Sequence, residues 1–170
     1  MALADYFLIT VIAICTFTDI KCRKIYNVVL VPAAAMGLLI NFHAAGLAGG
    51  IQSVKGLFVG LALLWLPFVL GGMGAGDVKL LGVVGALKGP GFVWQAFIYM
   101  ALVGGLISLL ILIKGRSSWP RLQAVLLTLL SLLGLGPRVN LTGTIQAGAV
   151  TTFPYGVAIA AGTVLAYFLE

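Results

Sequence analysis

Val93-Trp94-Gln95-Ala96-Phe97-Ile98-Tyr99-Met100-Ala101-Leu102-Val103-Gly104-Gly105-Leu106-Ile107-Ser108-Leu109-Leu110-Ile111-Leu112-Ile113 contains no Lys, Arg, Asp or Glu. A helix needs about 20 largely apolar residues to cross the hydrocarbon of a bilayer, and this run supplies them. The rest of the chain has the same character: of 170 residues, 62% are hydrophobic and 8% charged. Soluble domains are about 25% charged, so the surface of a water-soluble globule could not be covered here. Two cysteines exclude a disulfide scaffold, and the apolar content excludes disorder. The expectation is an all-α polytopic membrane protein, a single membrane-embedded domain over residues 1–170.

Working outward from that run, further spans are expected from near Met1 to Thr18, Val28 to Ala45, Val54 to Leu70, Asp77 to Leu87 and Phe153 to Phe168. That makes six. Leu122 to Leu135 is apolar but short; it either lies in the interface as an amphipathic helix or forms a seventh span. Gly89-Pro90-Gly91 reads as a tight external turn. The pairs Gly46/Gly50, Gly56/Gly60 and Gly85/Gly89 have the spacing that lets membrane helices approach closely.

Charge sets the orientation. With the N-terminus outside and six spans, Lys21, Arg23, Lys24, Lys79, Lys114, Arg116, Arg121 and Arg138 fall inside, and only Lys55 and Lys88 outside. This is the positive-inside pattern. Basic residues follow the first apolar stretch rather than precede it, so that stretch reads as a retained anchor and not a cleaved signal. The net charge of +6 therefore speaks of topology and anionic lipid headgroups, not of nucleic acid.

The chain has four acids. Asp5 and Glu170 sit near its ends, where water is expected. Asp19 and Asp77 sit at the inner ends of expected spans, where an ionisable group is costly and marks a candidate site. Asp77 follows Gly71-Gly72-Met73-Gly74-Ala75-Gly76, whose glycines permit an irregular backbone before a helix. It should lie at the N-terminus of that helix, where free N–H groups favour a carboxylate. Two carboxyls brought close cannot both ionise, so they share a proton. The ionised one can take a proton from water while its partner protonates the attacked carbonyl oxygen. The plainer readings are an N-cap for Asp77 and a juxtamembrane partner of Lys21 or Arg23 for Asp19.

Gly74-Ala75-Gly76-Asp77 resembles the GxGD signature of membrane aspartyl proteases, and Val78-Lys79-Leu80 resembles its extension in the type IV prepilin peptidase family. Asp19 to Asn27 is similar to that family's first motif, with Ile25 and Asn27 matching and Tyr26 standing where proline is common. Phe153-Pro154-Tyr155-Gly156 resembles the start of its final span. The resemblance implies an inner-membrane endopeptidase, active site facing the cytoplasm, that cuts the short basic leader from type IV pilin-like precursors after a glycine. It implies Asp19 and Asp77 as the catalytic pair, with Gly74 and Gly76 in support, and Lys79 either supporting Asp77 or marking the inner surface. Larger members carry paired Cys-x-x-Cys motifs and methylate the product. Cys15 and Cys22 form no such motif, so the chain looks like the short form of tight-adherence (Flp) pilus systems or archaeal preflagellin peptidases, using no S-adenosylmethionine or other cofactor.

Cys15 is expected among helix neighbours, Cys22 as a free thiol, and Trp65, Trp94 and Trp119 as interfacial anchors. His43 stands alone, with no metal-ligand spacing around it. Asn140-Leu141-Thr142 matches a glycosylation acceptor but falls on the inner side. A presenilin-like protease cutting within a membrane helix is the alternative among enzymes, although its Tyr-Asp and Pro-Ala-Leu motifs are missing. A proton-binding transporter subunit would need a polar path through both leaflets, for which only His43, Gln52 and Gln95 offer themselves at the outer ends. A structural assembly subunit would have no need of the acids.

Overall fold

The computed structural model describes residues 3–114 and 155–169. Leu122 to Leu135, Asn140-Leu141-Thr142, Trp119, Phe153-Pro154 and the basic residues Arg116, Arg121 and Arg138 lie outside them. Every described element is helical: α1 (Leu3–Cys22), α2 (Asn27–Val69), α3 (Ala75–Lys88), α4 (Pro90–Lys114) and α5 (Tyr155–Leu169). Met1–Gly104 with Pro154–Glu170 form one compact unit, and Gly105–Phe153 a second. The account below concerns the first.

Within the described residues the expected apolar stretches fall on helix but for Leu70, which caps α2, and the structure differs from expectation in two places. The first is at the C-terminal end of α1, which runs on to Cys22 and so carries Asp19 in its last full turn. The second concerns the loop expected between Ala45 and Val54. There, α2 breaks only at Ala45 (φ −134°, ψ 19°) and Gly46 (φ 60°, ψ −143°). The positive φ needs glycine, and the chain doubles back across it. Gly49 presses on the backbone of Asn41, and a Cβ on Gly50 would stand 3.2 Å from the Phe42 ring. Gly46 consequently makes a turn and not a helix contact, since a Cβ on it would have nothing within 4 Å, whereas Gly89, which also turns the chain, lies against α2: a Cβ on Gly56 would stand 2.9 Å from the Gly89 backbone.

Helix α3 is the centre. Val78, Leu80, Leu81, Val83, Val84, Ala86 and Leu87 are all buried, so it has almost no free face. α2 reaches it through glycines: a Cβ on Gly56 would strike the Gly85 backbone, and one on Gly60 the backbone of Leu81 and Gly82. The orphan carbonyls at the end of α3 are met from both halves of α2. Asn41 donates from Nδ2 to the carbonyls of Ala86 (2.9 Å) and Leu87 (3.1 Å), and the Ser53 hydroxyl also donates to Ala86.

α1 offers α3 and α5 the stripe Ala4, Leu8, Val11, Cys15 and Asp19, each three or four residues from the next, one helix face. Gly162 of α5 fits against Met100 and Ala96 of α4. Asp5 departs from expectation. It is 7% exposed, because Lys88 (Nζ 3.0 Å) and the Tyr167 hydroxyl (2.8 Å) both donate to its Oδ1.

The outward faces are apolar: Phe17, Val31, Leu39, Phe58, Leu66 and Leu102 are each more than 60% exposed. Soluble monomers rarely expose contiguous patches on this scale, whereas hydrocarbon solvates them. Asn27–Val69 and Pro90–Leu110 are long and apolar enough to cross a membrane, and Tyr155–Leu169 is a shorter apolar helix. Gly56→Val should lower the unfolding free energy in detergent by about 1–3 kcal/mol through overpacking. Gly91→Ala, with open space around it, should be neutral or stabilising by under about 1 kcal/mol; thermal melting of the two variants checks the contrast.

Candidate active site

The site lies where the C-terminal end of α1 meets the N-terminal ends of α3 and α5. α2 ends at Val69 with Leu70 as its C-cap, and Gly71, with a φ of 75°, turns the chain away; the Gly72 N–H then bonds back to Pro67 at 3.0 Å. The glycine-rich stretch that follows lets the chain enter α3 at Gly74, its N-cap (φ −79°, ψ 149°). Asp77 is the third residue of the helix, and its Oδ2 accepts the Gly74 N–H at 3.2 Å. The capping reading is therefore true of one oxygen. The other, Oδ1, is buried and receives no hydrogen bond from the described residues.

Asp19 is held differently. Its Oδ2 accepts the N–H of Gly156, in the first turn of α5, at 2.9 Å. A free N–H at a helix N-terminus is a strong partner for an anion. The position demands glycine, since a Cβ there would lie 2.7 Å from that same oxygen. No ion pair joins Asp19 to Lys21 or Arg23 among the described residues. Asp19 and Asp77 are 7% and 8% exposed, and Asp19 lies near enough to Asp77 to act on it electrostatically.

The motifs around the two acids are joined as well. After α1 the Arg23 N–H caps the Asp19 carbonyl at 2.8 Å, and Arg23 itself takes φ 51°, the left-handed conformation that commonly closes a helix. Ile25 then passes so close to Gly76 that a Cβ on that glycine would be 2.9 Å from the Ile25 Cβ. Tyr26 adopts φ −85°, ψ 130° as N-cap of α2, near the conformation proline would impose. Among the described residues Lys79 makes no ion pair with Asp77 and instead donates to the Asn27 side chain at 2.9 Å, tying the start of α2 to α3. Gly74 thus donates to a carboxylate, while Gly76 makes room for Ile25.

Sequence reasoning did not single out Gly156 or the Lys79–Asn27 bond. The signal for the first was present in Phe153-Pro154-Tyr155-Gly156, a glycine at the start of a helix. No comparable signal marked the second, since residues 52 positions apart meet only through the fold. The described residues contain no group of three or more His, Cys, Asp or Glu able to hold a metal ion.

These features define a helical membrane protein whose buried acids converge at helix ends. Residues 6–113 match the type IV leader peptidase family, and the chain belongs to it. That family supports a peptidase. Comparison with curated proteins and with solved structures finds no significant match. The matched stretch holds Asp19 and Asp77 but stops short of α5.

Gly156→Ala should displace the Asp19 carboxylate and cut peptidase activity by about tenfold or more, with the protein still folded in detergent. Tyr26→Pro should leave activity intact and raise stability by about 0.4–1 kcal/mol by restricting the unfolded chain; melting curves and a cleavage assay read both.

Proposed function

We propose that this chain is a membrane aspartyl endopeptidase that removes the short basic leader of type IV pilin-like precursors at the cytoplasmic face. Six spans with the N-terminus outside put Asp19, Asp77 and most of the basic residues on that face. The observation that carries the reading is the pair of buried carboxylates, each held by one helix-terminal backbone N–H, with Asp77 Oδ1 left for water or substrate. An unmet buried acceptor is costly, so its survival asks for a use.

In the reaction so derived, the carboxylate that is ionised takes a proton from water, and the water oxygen attacks the scissile carbonyl carbon. The partner carboxyl gives its proton to the carbonyl oxygen, forming a neutral gem-diol. Proton return to the amide nitrogen then breaks the C–N bond and releases the leader as an acid and the pilin-like chain as an amine. The Gly156 and Gly74 N–H groups fix the two carboxylates throughout, and the reaction calls on no cofactor. Lys79 holds the α2 start against α3 and does not touch the reacting carboxyls.

Cleavage of a co-expressed pilin-like precursor, read as a mobility shift in membranes, tests this. Asp19→Asn and Asp77→Asn should each lower the rate by about 10²–10⁴-fold while remaining in the membrane. The cut should follow the glycine that ends the leader; a cut within the apolar helix would instead favour the presenilin-like alternative. Normal cleavage by both variants would sink the proposal.

A further inference from the structure

Asp5, Lys88 and Tyr167 belong to the same three helices as the site, at their opposite ends. Asp5 Oδ1 accepts from Lys88 Nζ at 3.0 Å and from the Tyr167 hydroxyl at 2.8 Å. The Lys88 ammonium also lies 4.6 Å from the centre of the Tyr167 ring and 5.0 Å from that of Phe92. Those two rings meet edge to face, with centroids 4.9 Å apart. The charged group is thus fenced by aromatic faces and one carboxylate.

The spacing connects the two ends. Asp5 precedes Asp19 by 14 residues on α1, Lys88 follows Asp77 by 11 on α3, and Tyr167 follows Gly156 by 11 on α5. At 3.6 residues per turn these are about four, three and three turns, so each outer residue shares a face with its partner at the site. The two groups stand about 16–21 Å apart along the helices at 1.5 Å per residue. A helix fixed at one end by a single hydrogen bond can still slide or turn; one fixed on the same face at both ends cannot.

We propose that Asp5, Lys88 and Tyr167 form an interhelical lock that sets the axial register of α1, α3 and α5, and so the placement of Asp19, Asp77 and Gly156 at the far end. They are positioning residues, and their effect on cleavage rests on the reading of Asp19 and Asp77 as the catalytic pair. A buried ion pair adds little net stability but is costly to break from one side, and a hydrogen-bonded pair inside a helical bundle accepts only one register.

The experiment uses the full chain with spin labels on exposed Cys22 and on Ala75→Cys, at the site ends of α1 and α3. Distances are compared with and without Lys88→Met, beside cleavage of a pilin-like precursor with a leader ending in glycine. Lys88→Met should broaden the distance distribution and lower kcat by about 10–100-fold with KM changed less than about twofold, and Lys88→Arg should restore much of both. Tyr167→Phe, which removes only a hydroxyl, should do the same more mildly, with kcat down about three- to tenfold; it also carries the test should Lys88→Met not fold. An unchanged kcat, or a lowered kcat with an unchanged distance distribution, overturns the lock. If Asp19→Asn cleaves normally, the catalytic reading fails by itself, and the distances alone then decide whether the lock sets register.

Discussion

A carboxylate removed from water must be met by a donor, and in this protein that requirement organises the helices. The three acids among the described residues are all buried, and each is met by a group at a helix end. Asp77 takes the N–H that opens its own helix. Asp19 takes one from the first turn of α5. Asp5 takes the ammonium at the end of α3 and a hydroxyl near the end of α5. Satisfying these groups while they are buried in the protein leaves α1, α3 and α5 little choice of arrangement.

The glycines follow from the same requirement. For a backbone N–H to reach a carboxylate on another helix, the residue bearing it must have no side chain in the way, as at Gly156. For α3 to be buried on all sides, α2 must approach it backbone to backbone, as Gly56 and Gly85 allow. In lipid such approach is a main source of helix association, since apolar burial alone gains little there. The carbonyls that this burial orphans are then met by Asn41 and Ser53, side chains that a water-exposed helix end would not need.

Much of this was legible in the sequence. Helix positions among the described residues follow largely from hydropathy, because the helices are mostly apolar and bounded by glycine, proline or charge. Asp19 and Asp77 stood out because acids are rare in such helices. What stayed hidden depended on pairs distant in sequence. A reversal between Ala45 and Val54 was expected, but not that it would be confined to Ala45 and Gly46; Gly46 looked like one more packing glycine, since a single positive φ leaves no mark on composition. Asp5 looked solvated because it lies near the start of the chain; only its position opposite Lys88 and Tyr167, 83 and 162 residues away, makes it interior.

The two site acids are held in structurally different ways. Asp19 is bonded from another helix, so its position depends on how α1 and α5 are packed. Asp77 is bonded from its own N-cap, so its position is built into α3 before any packing. The local acid keeps an oxygen without a protein partner; the acid held across helices is the one that a shift between helices would move. The packing of α1 against α5 therefore matters more to the placement of Asp19 than to that of Asp77. α3, central and buried on nearly every face, carries the acid that is set locally, and α1, with one face open to the surroundings, carries the acid that is set across helices.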